Sequence, residues 1–442
     1  MSSESKRADL ISKLKSMLKS NAFIYSTVQQ VKNAKRKKEQ KRALKVLEAQ
    51  KKTPRDPGPI RVVFIAQYIP SWNKLEPLFR NLMTDNRFEV SIVCVPLGIE
   101  NNHLIDEADL SNDTYDWYIS HGYDAINALT GPDEWFDLRS LRPDYVFHSR
   151  PYNSCMPQVY TSAEIAKYSC LCSILYSICF SKKILEALIN DDYFNHVRYF
   201  FTGCLSEELF FNKKHKEGVE LQLQTTFAVG LPSVDELRLA APENEGVWEK
   251  IECSQRILWT PRWSTDSAIG GSHFLVLKDA FLEYAKTHDG VGLVIRPHPL
   301  MFKNFAKTGE MSLKEIDDFK NHCESLSNVY LDESKGYTDT LVAADILVSD
   351  MSGILIERFA TEKPTILWSI ENGDFTPEYQ EMVKSFSIVS STSEVFECID
   401  RYLGEDYSCS HRSTCDMSLV LGPNCGNSIA VIKDCLIKGN NR

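Results

Sequence analysis

The run Val291-Gly-Leu-Val-Ile-Arg-Pro-His-Pro299 ends an apolar stretch abruptly on an arginine and a histidine. A second run, Ile346-Leu-Val-Ser-Asp-Met-Ser-Gly-Ile-Leu-Ile-Glu357, reaches Ser349, Asp350, Ser352 and Gly353 just before an apolar helical pattern, Ile354 to Ala360. Short apolar runs that stop so sharply read as buried parallel strands reaching the carboxyl edge of a sheet. Open α/β sheets bind ligands in the crevice outside those strand ends. A helix start carrying Ser-Gly leaves backbone N–H groups free and adds the positive dipole end, which suits a phosphate. Singly, Ser-Asp-x-Ser is an ordinary N-cap and a histidine between prolines a rigid turn. Together, about fifty residues apart in one α/β pattern, they point to a nucleotide-diphosphate site.

Two α/β domains would hold these residues. Thr53-Pro-Arg-Asp-Pro-Gly-Pro59 is a turn-rich linker, which sets a helical arm with its linker over 1–56. A first α/β domain, over 57–245, opens with the strand Arg61-Val-Val-Phe-Ile-Ala66 and a helix from Trp72 to Met83. The alternation continues through Phe88–Val95, Tyr145–Phe147 and Leu171–Tyr176. A second, over 246–442, starts with Arg256-Ile-Leu-Trp-Thr260 and carries both site runs. Strand–helix alternation implies parallel sheets. The expected fold is therefore GT-B-like: two doubly wound domains facing a cleft. Gln67-Tyr-Ile-Pro-Ser-Trp72 follows the first strand in place of a Gly-x-Gly-x-x-Gly loop, which disfavours a dinucleotide enzyme. No Asp-x-Asp metal motif occurs, and the reading requires no cofactor.

The chain has 442 residues and a net charge of −10, unevenly spread. Residues 1–55 hold 16 Lys+Arg against 4 Asp+Glu, and the remainder 34 against 56. An acidic body with a basic arm does not fit a nucleic-acid enzyme, whose basic charge lines the working cleft. Leu10, Leu14, Met17, Leu18, Ile24, Val28 and Val31 recur at helical spacing within the arm. Three readings compete for residues 1–52: a basic amphipathic helix on an anionic inner leaflet, a coiled coil, or a solvated tail. The longest apolar stretch, Cys170 to Phe180, is too short to span a bilayer. Thirteen scattered cysteines read as reduced core thiols. The expected location is cytoplasmic, peripheral on the inner face of the cell membrane.

Three segments in order resemble the CDP-glycerol glycerophosphotransferases, the teichoic-acid polymerases and primases. They are Ile257-Leu-Trp-Thr-Pro-Arg-Trp263, Arg296-Pro-His-Pro299, and Ser349-Asp-Met-Ser-Gly353 with Glu357 and Lys363-Pro364 following. Gly353 stands where that family has a second serine, and Glu357 replaces its usual aspartate. The family's Trp-His-Gly-Thr-Pro-Leu-Lys, with its proposed base, has Phe147-His-Ser-Arg-Pro151 as nearest counterpart. The resemblance implies transfer of glycerol phosphate, or a related polyol phosphate, from a CDP-linked donor to a lipid-linked or polysaccharide acceptor. In that reading His298 and His148 are catalytic: His298 holds or protonates pyrophosphate oxygens, and His148 is the base from the opposite domain. Arg296, Thr260, Arg262, Ser349, Asp350, Ser352 and Gly353 serve nucleotide and phosphate, and Glu357 accepts ribose hydroxyls, without a metal. Two alternatives stand beside it. One is a GT-B glycosyltransferase or epimerase using a CMP- or UDP-linked sugar; the other is a non-catalytic scaffold with a worn cleft.

Overall fold

The computed structural model describes residues 22–105, 111–239, 246–266, 271–334, 336–369, 373–404 and 415–440. Two parallel sheets organise them. The first has seven strands: β1 (Ile60–Ala66), β2 (Phe88–Cys94), β3 (Ala125–Asn127), β4 (Tyr145–His148), β5 (Cys170–Ile174), β6 (Tyr199–Thr202) and β7 (Thr225–Ala228). The second has six: β8 (Gln255–Thr260), β9 (Val291–Ile295), β10 (Val329–Leu331), β11 (Ile346–Ser349), β12 (Thr365–Trp368) and β13 (Ser387–Val389). The spatial orders are β7-β6-β5-β4-β1-β2-β3 and β10-β9-β8-β11-β12-β13. In both sheets the order reverses beside the first strand, between β1 and β4 and between β8 and β11. Those two reversal points are where a crevice opens at the strands' carboxyl ends.

Both sheets are covered on two faces, which is why their strands read as unbroken apolar runs. Val291–Ile295 and Ile346–Ser349 are buried at every position. The largest apolar cluster joins one face of each sheet: Phe64, Phe147 and Phe201 from the first, Leu258, Val294 and Leu347 from the second. The other faces carry their own clusters, around Phe194 and Phe200 and around Trp259 and Phe281. The expected GT-B-like architecture is the one observed.

Two features depart from the sequence reading in detail. Trp72 to Met83 is a short 3₁₀ turn, Ile69–Lys74, followed by an α-helix, Glu76–Met83. Pro77 fits only near the start of that helix, where its missing N–H costs nothing. The chain also does not finish in the second half. The terminal helix, Ser428–Asn440, returns to the first sheet, where Tyr145 Oη donates to the Leu436 carbonyl at 2.7 Å. Asp235 fixes the return by accepting from Gly426 N and Ser428 Oγ, each at 2.6 Å. At the crossing Gly422 has φ +87°, and a Cβ there would lie 2.8 Å from the Gly203 carbonyl.

Among the described residues the arm forms the helix Ala22–Lys51. Its last third docks: Ala43, Leu44 and Leu47 are buried against Ala166 and Leu223, and Gln50 accepts from Arg198 at 2.7 Å. Residues 30–39 are all exposed, Val31 to 65%, so the apolar stripe expected around Val31 has no covered face there. The earlier part of that stripe, Leu10 to Leu18, lies outside the described residues.

Candidate active site in the interdomain cleft

The carboxyl ends of β8 and β11 lie side by side, in register at Thr260 and Ser349. Their hydroxyls bond directly, Thr260 Oγ1 to Ser349 Oγ at 2.8 Å. Between these strand ends and the loops after β1 and β5 is a cavity of about 370 Å³. That volume falls within the range of small-ligand sites. Thr260, Arg262, Arg296, His298, Ser352 and Gly353 line it from the second half.

The charged groups differ sharply in how far they are already committed. Arg296 pairs with buried Asp332 and donates to the Ser334 carbonyl at 2.8 Å, so it braces the β9–β10 edge. Arg262 has no carboxylate within ion-pair distance among the described residues. Its Nη1 donates to the Met351 carbonyl, and its Nε is buried without a partner. Burial pulls its pKa down, with Asp350 opposing. An unsatisfied guanidinium at the cavity wall is the group best suited to an incoming phosphate. The helix behind Ser352 and Gly353 has only seven residues, Ile354–Ala360, so its dipole is a lesser contribution than that cation.

His298 accepts from Leu300 N through Nδ1 at 3.2 Å, which leaves the proton of a neutral ring on Nε2. Burial, then the neighbouring Arg262, pull its pKa down to about 4. Near neutrality the ring is therefore an uncharged N–H donor, suited to holding a phosphate oxygen.

Asp350 and Glu357 are both spent on the protein. Asp350 is buried; it accepts from Arg262 N at 2.9 Å and from His273 Nδ1 at 2.7 Å, clamping two loops. Glu357 is 1% exposed and faces the first half of the chain. Lys74 donates to its Oε1, and Tyr337 Oη to its Oε2 at 2.6 Å. Tyr337 also receives Lys74 at 2.8 Å, closing a buried triad across the two halves. Burial pulls the Lys74 pKa down, but Glu357 and Tyr337 outweigh it and push it up to about 12. The carboxylate expected to meet ribose is thus occupied by a lysine that the sequence reading passed over.

His148 is not brought to the cleft. It is the last residue of β4, and the strand's alternation turns its ring onto the opposite face, 5.4 Å from the Tyr193 ring. It is 3% exposed, neither ring nitrogen has a partner, and burial pulls its pKa down to about 3. The first half reaches the cavity instead through Tyr68 to Lys74 after β1 and Tyr176 to Phe180 after β5. Ser177 is the residue facing Gly353, whose Cβ would lie 2.8 Å from Ser177 Oγ. The lack of a side chain at 353 lets the two loops meet. Lys74 had one signal in the sequence, a cation just beyond the carboxyl end of a buried strand. The Tyr176–Phe180 loop had none, because it carries no charged residue and reads as the end of a mostly apolar run.

Two doubly wound sheets with a cleft at their reversal points define the GT-B class of fold. Residues 205–406, which contain all three signature segments, match the family described as CDP-glycerol:poly(glycerophosphate) glycerophosphotransferase. The resemblance read from the sequence is borne out over that stretch, and the chain is a glycerophosphotransferase-like transferase. Solved structures agree in fold. UDP-GlcNAc 2-epimerase from Neisseria meningitidis gives a TM-score of 0.56 at 15% identity, over 86% of this chain and 100% of that one. The epimerase from Methanocaldococcus jannaschii gives 0.53 at 15% identity, over 85% and 100%. A variant of the wall teichoic acid polymerase TagF gives 0.54 at 9% identity, over 94% and 97%. At these identities the likeness is one of fold. Among curated protein sequences none matches the chain.

Proposed function

We propose that this cleft transfers glycerol phosphate from CDP-glycerol to a hydroxyl of a lipid-linked or polysaccharide acceptor, in the synthesis of a teichoic-acid-like cell-surface polymer. The observation that carries the reading is the unpaired Arg262 beside neutral His298 at the β8/β11 reversal point, inside the family-matched segment. In the reaction the acceptor oxygen bonds to the glycerol-bearing phosphorus. The anhydride P–O bond breaks with its electron pair on CMP, and the hydroxyl proton passes to water in the open cleft. Charge builds on the departing phosphate, where Arg262 and the His298 N–H act as fixed donors. Ser352, with the Thr260–Ser349 hydroxyl pair beneath it, completes the polar side of the cavity.

Isothermal titration with CDP, CMP and UDP tests the donor, with CDP expected to bind tightest. Equal or tighter binding of UDP would defeat the reading in favour of an epimerase-like site. The arm supports a second element of the proposal. Residues 30–52 carry ten Lys+Arg against Glu39 and Glu48, on a helix whose docked end leaves the rest projecting. That charge suits an anionic membrane surface, which would bring the cleft to a lipid-linked acceptor. Among the described residues no helix is long and apolar enough to cross a membrane.

A further inference from the structure

Beside the cavity the two halves meet along a seam whose groups the proposed reaction does not use. After β5 the Phe180 carbonyl accepts from Thr376 N at 2.9 Å, and Lys182 N donates to the Asp374 carbonyl at 3.0 Å. Helix Leu205–Lys214, after β6, meets the same segment of the second half. There Glu378 accepts from Ser206 N at 2.8 Å through Oε1 and from Ser206 Oγ at 2.6 Å through Oε2. Ile178, Cys179 and Phe180 line the cavity, so parting this seam moves one of its walls.

A second carboxyl is packed into the same helix start. Glu207 is fully buried; its Oε2 accepts from Gly203 N at 2.8 Å, while its Oε1 is buried without a partner. Glu378 is buried as well, and among the described residues no lysine or arginine pairs with either carboxyl. Lys182, at the outer edge of the seam, is held by Asp374 at 3.0 Å. Two neighbouring carboxylates in an apolar seam without a cation cannot both be ionised cheaply, so one keeps its proton. Glu378, with donors on both oxygens, is the better placed to carry charge. Burial, then Glu378, push the Glu207 pKa up to about 8, against the N–H groups of Gly203, Cys179 and Cys204. The other titratable groups inside the seam are two thiols and a phenol. Burial pushes Cys179 and Cys204 well above the usual thiol range, and Tyr379, against the Phe180 ring, up to about 12.

We propose that Glu207 is a proton-dependent latch between the halves. Neutral, it lets Glu378 hold Ser206 and the cleft stays closed; ionised, with its proton lost to solvent, it repels Glu378 and the seam parts. An open seam hydrates Glu207 and returns it towards the usual 4.5, so closing takes up a proton between that value and about 8. Closure is therefore strongest below this window, weakens as pH rises through it, and levels off above. Hydrogen exchange of the full-length protein, read by mass spectrometry and corrected for the intrinsic effect of pH on exchange, tests this without donor or acceptor. From about pH 6.5 to about pH 8.5, protection of the peptides carrying the Ser206 and Thr376 amides should fall about tenfold or more. The Val291–Ile295 strand should keep its protection over the same range. Glu207→Gln is neutral at every pH and should hold the seam peptides within about twofold. Glu378→Gln removes the neighbouring charge and should move the upper end of the fall to lower pH. No fall in the wild-type protein overturns the proposal, and that result needs neither variant. An equal fall in Glu207→Gln, an unmoved upper end in Glu378→Gln, or an equal fall over Val291–Ile295 in wild type overturns it too.

Discussion

His298 is held unprotonated by its surroundings, and that decides what it can contribute to a leaving phosphate. A ring titrating near 4 is no imidazolium at neutral pH, so its contribution is a directed N–H. His298→Ala should lower kcat by about 10²–10³, the usual effect of losing one preorganised donor to developing charge. The side chain is not part of either sheet's core, so the melting temperature should stay nearly constant; a variant keeping more than about a tenth of the rate removes His298 from the mechanism. His148 makes the opposite case. His148→Leu should leave kcat on folded protein within about threefold, because no ring atom reaches the cleft. It should also change the acid stability. The folded-state pKa of His148 lies near 3, below the usual 6.5, so unfolding takes up a proton between those values. The stability it contributes is present above about pH 6.5 and is lost as pH falls towards 3. Urea titrations at pH 7 and pH 4.5 should therefore show a smaller acid loss in His148→Leu than in wild type, and an equal loss would contradict the assignment. The sequence placed histidine at a strand end correctly in both cases. It could not say which face the last residue of the strand would take, since one step along a strand inverts the side chain.

At the scale of elements, the cleft is closed by contacts whose partners are far apart in the chain. Lys74 follows β1 and Glu357 follows β11, and nothing in either segment alone shows that the two pair. Removing one member of a buried pair leaves the other charge uncompensated, at a cost of about 3–5 kcal/mol. Lys74→Met should therefore lower the denaturation midpoint sharply, and Glu357→Leu likewise. The double variant should recover much of the loss, because two apolar side chains of similar volume replace the whole pair. Chemical denaturation of the four proteins gives the coupling directly; additive losses would mean the two groups do not interact in solution. The donor half was readable because local apolar runs end on Arg296, His298 and Ser349. The first-half wall was not, because Tyr176 to Phe180 contribute shape rather than chemistry. Arg262 and Arg296 looked equivalent in the sequence, and only the position of Asp332 shows that one is committed and the other is not.

Across the whole molecule, the two parallel sheets and the linker after the arm follow from composition and periodicity, whereas the strand order that sets the reversal points is seen only in the structure. The return of the last helix to the first sheet is likewise seen only there. Asp235, which anchors it, lies nearly two hundred residues upstream. The arm is where the structure most changes the experiment. Deleting residues 1–55 would remove Leu44, Leu47 and Gln50 from the first half, and with them Arg55, which donates to Tyr145 at 2.8 Å. Loss of binding in that variant would be confounded with damaged packing. Removing residues 1–38 spares the docked end yet takes most of the projecting basic charge, Lys32, Lys35, Arg36, Lys37 and Lys38 among it. Among the described residues two ion pairs are lost, Lys35 to Glu39 at 3.8 Å and Arg36 to Asp191 at 2.9 Å, and both are exposed enough to contribute little. Each cation near an anionic surface adds about 1 kcal/mol, falling off within a Debye length. The shortened protein should therefore leave phosphatidylglycerol vesicles in a sedimentation assay while keeping its melting temperature and its rate on a soluble acceptor. Raising the salt to about 0.5 M should release the full chain in the same way, since screening weakens each of these contacts. Retention of the shortened protein on vesicles, or a fall from dimer to monomer on shortening, would make the arm an oligomerisation element instead.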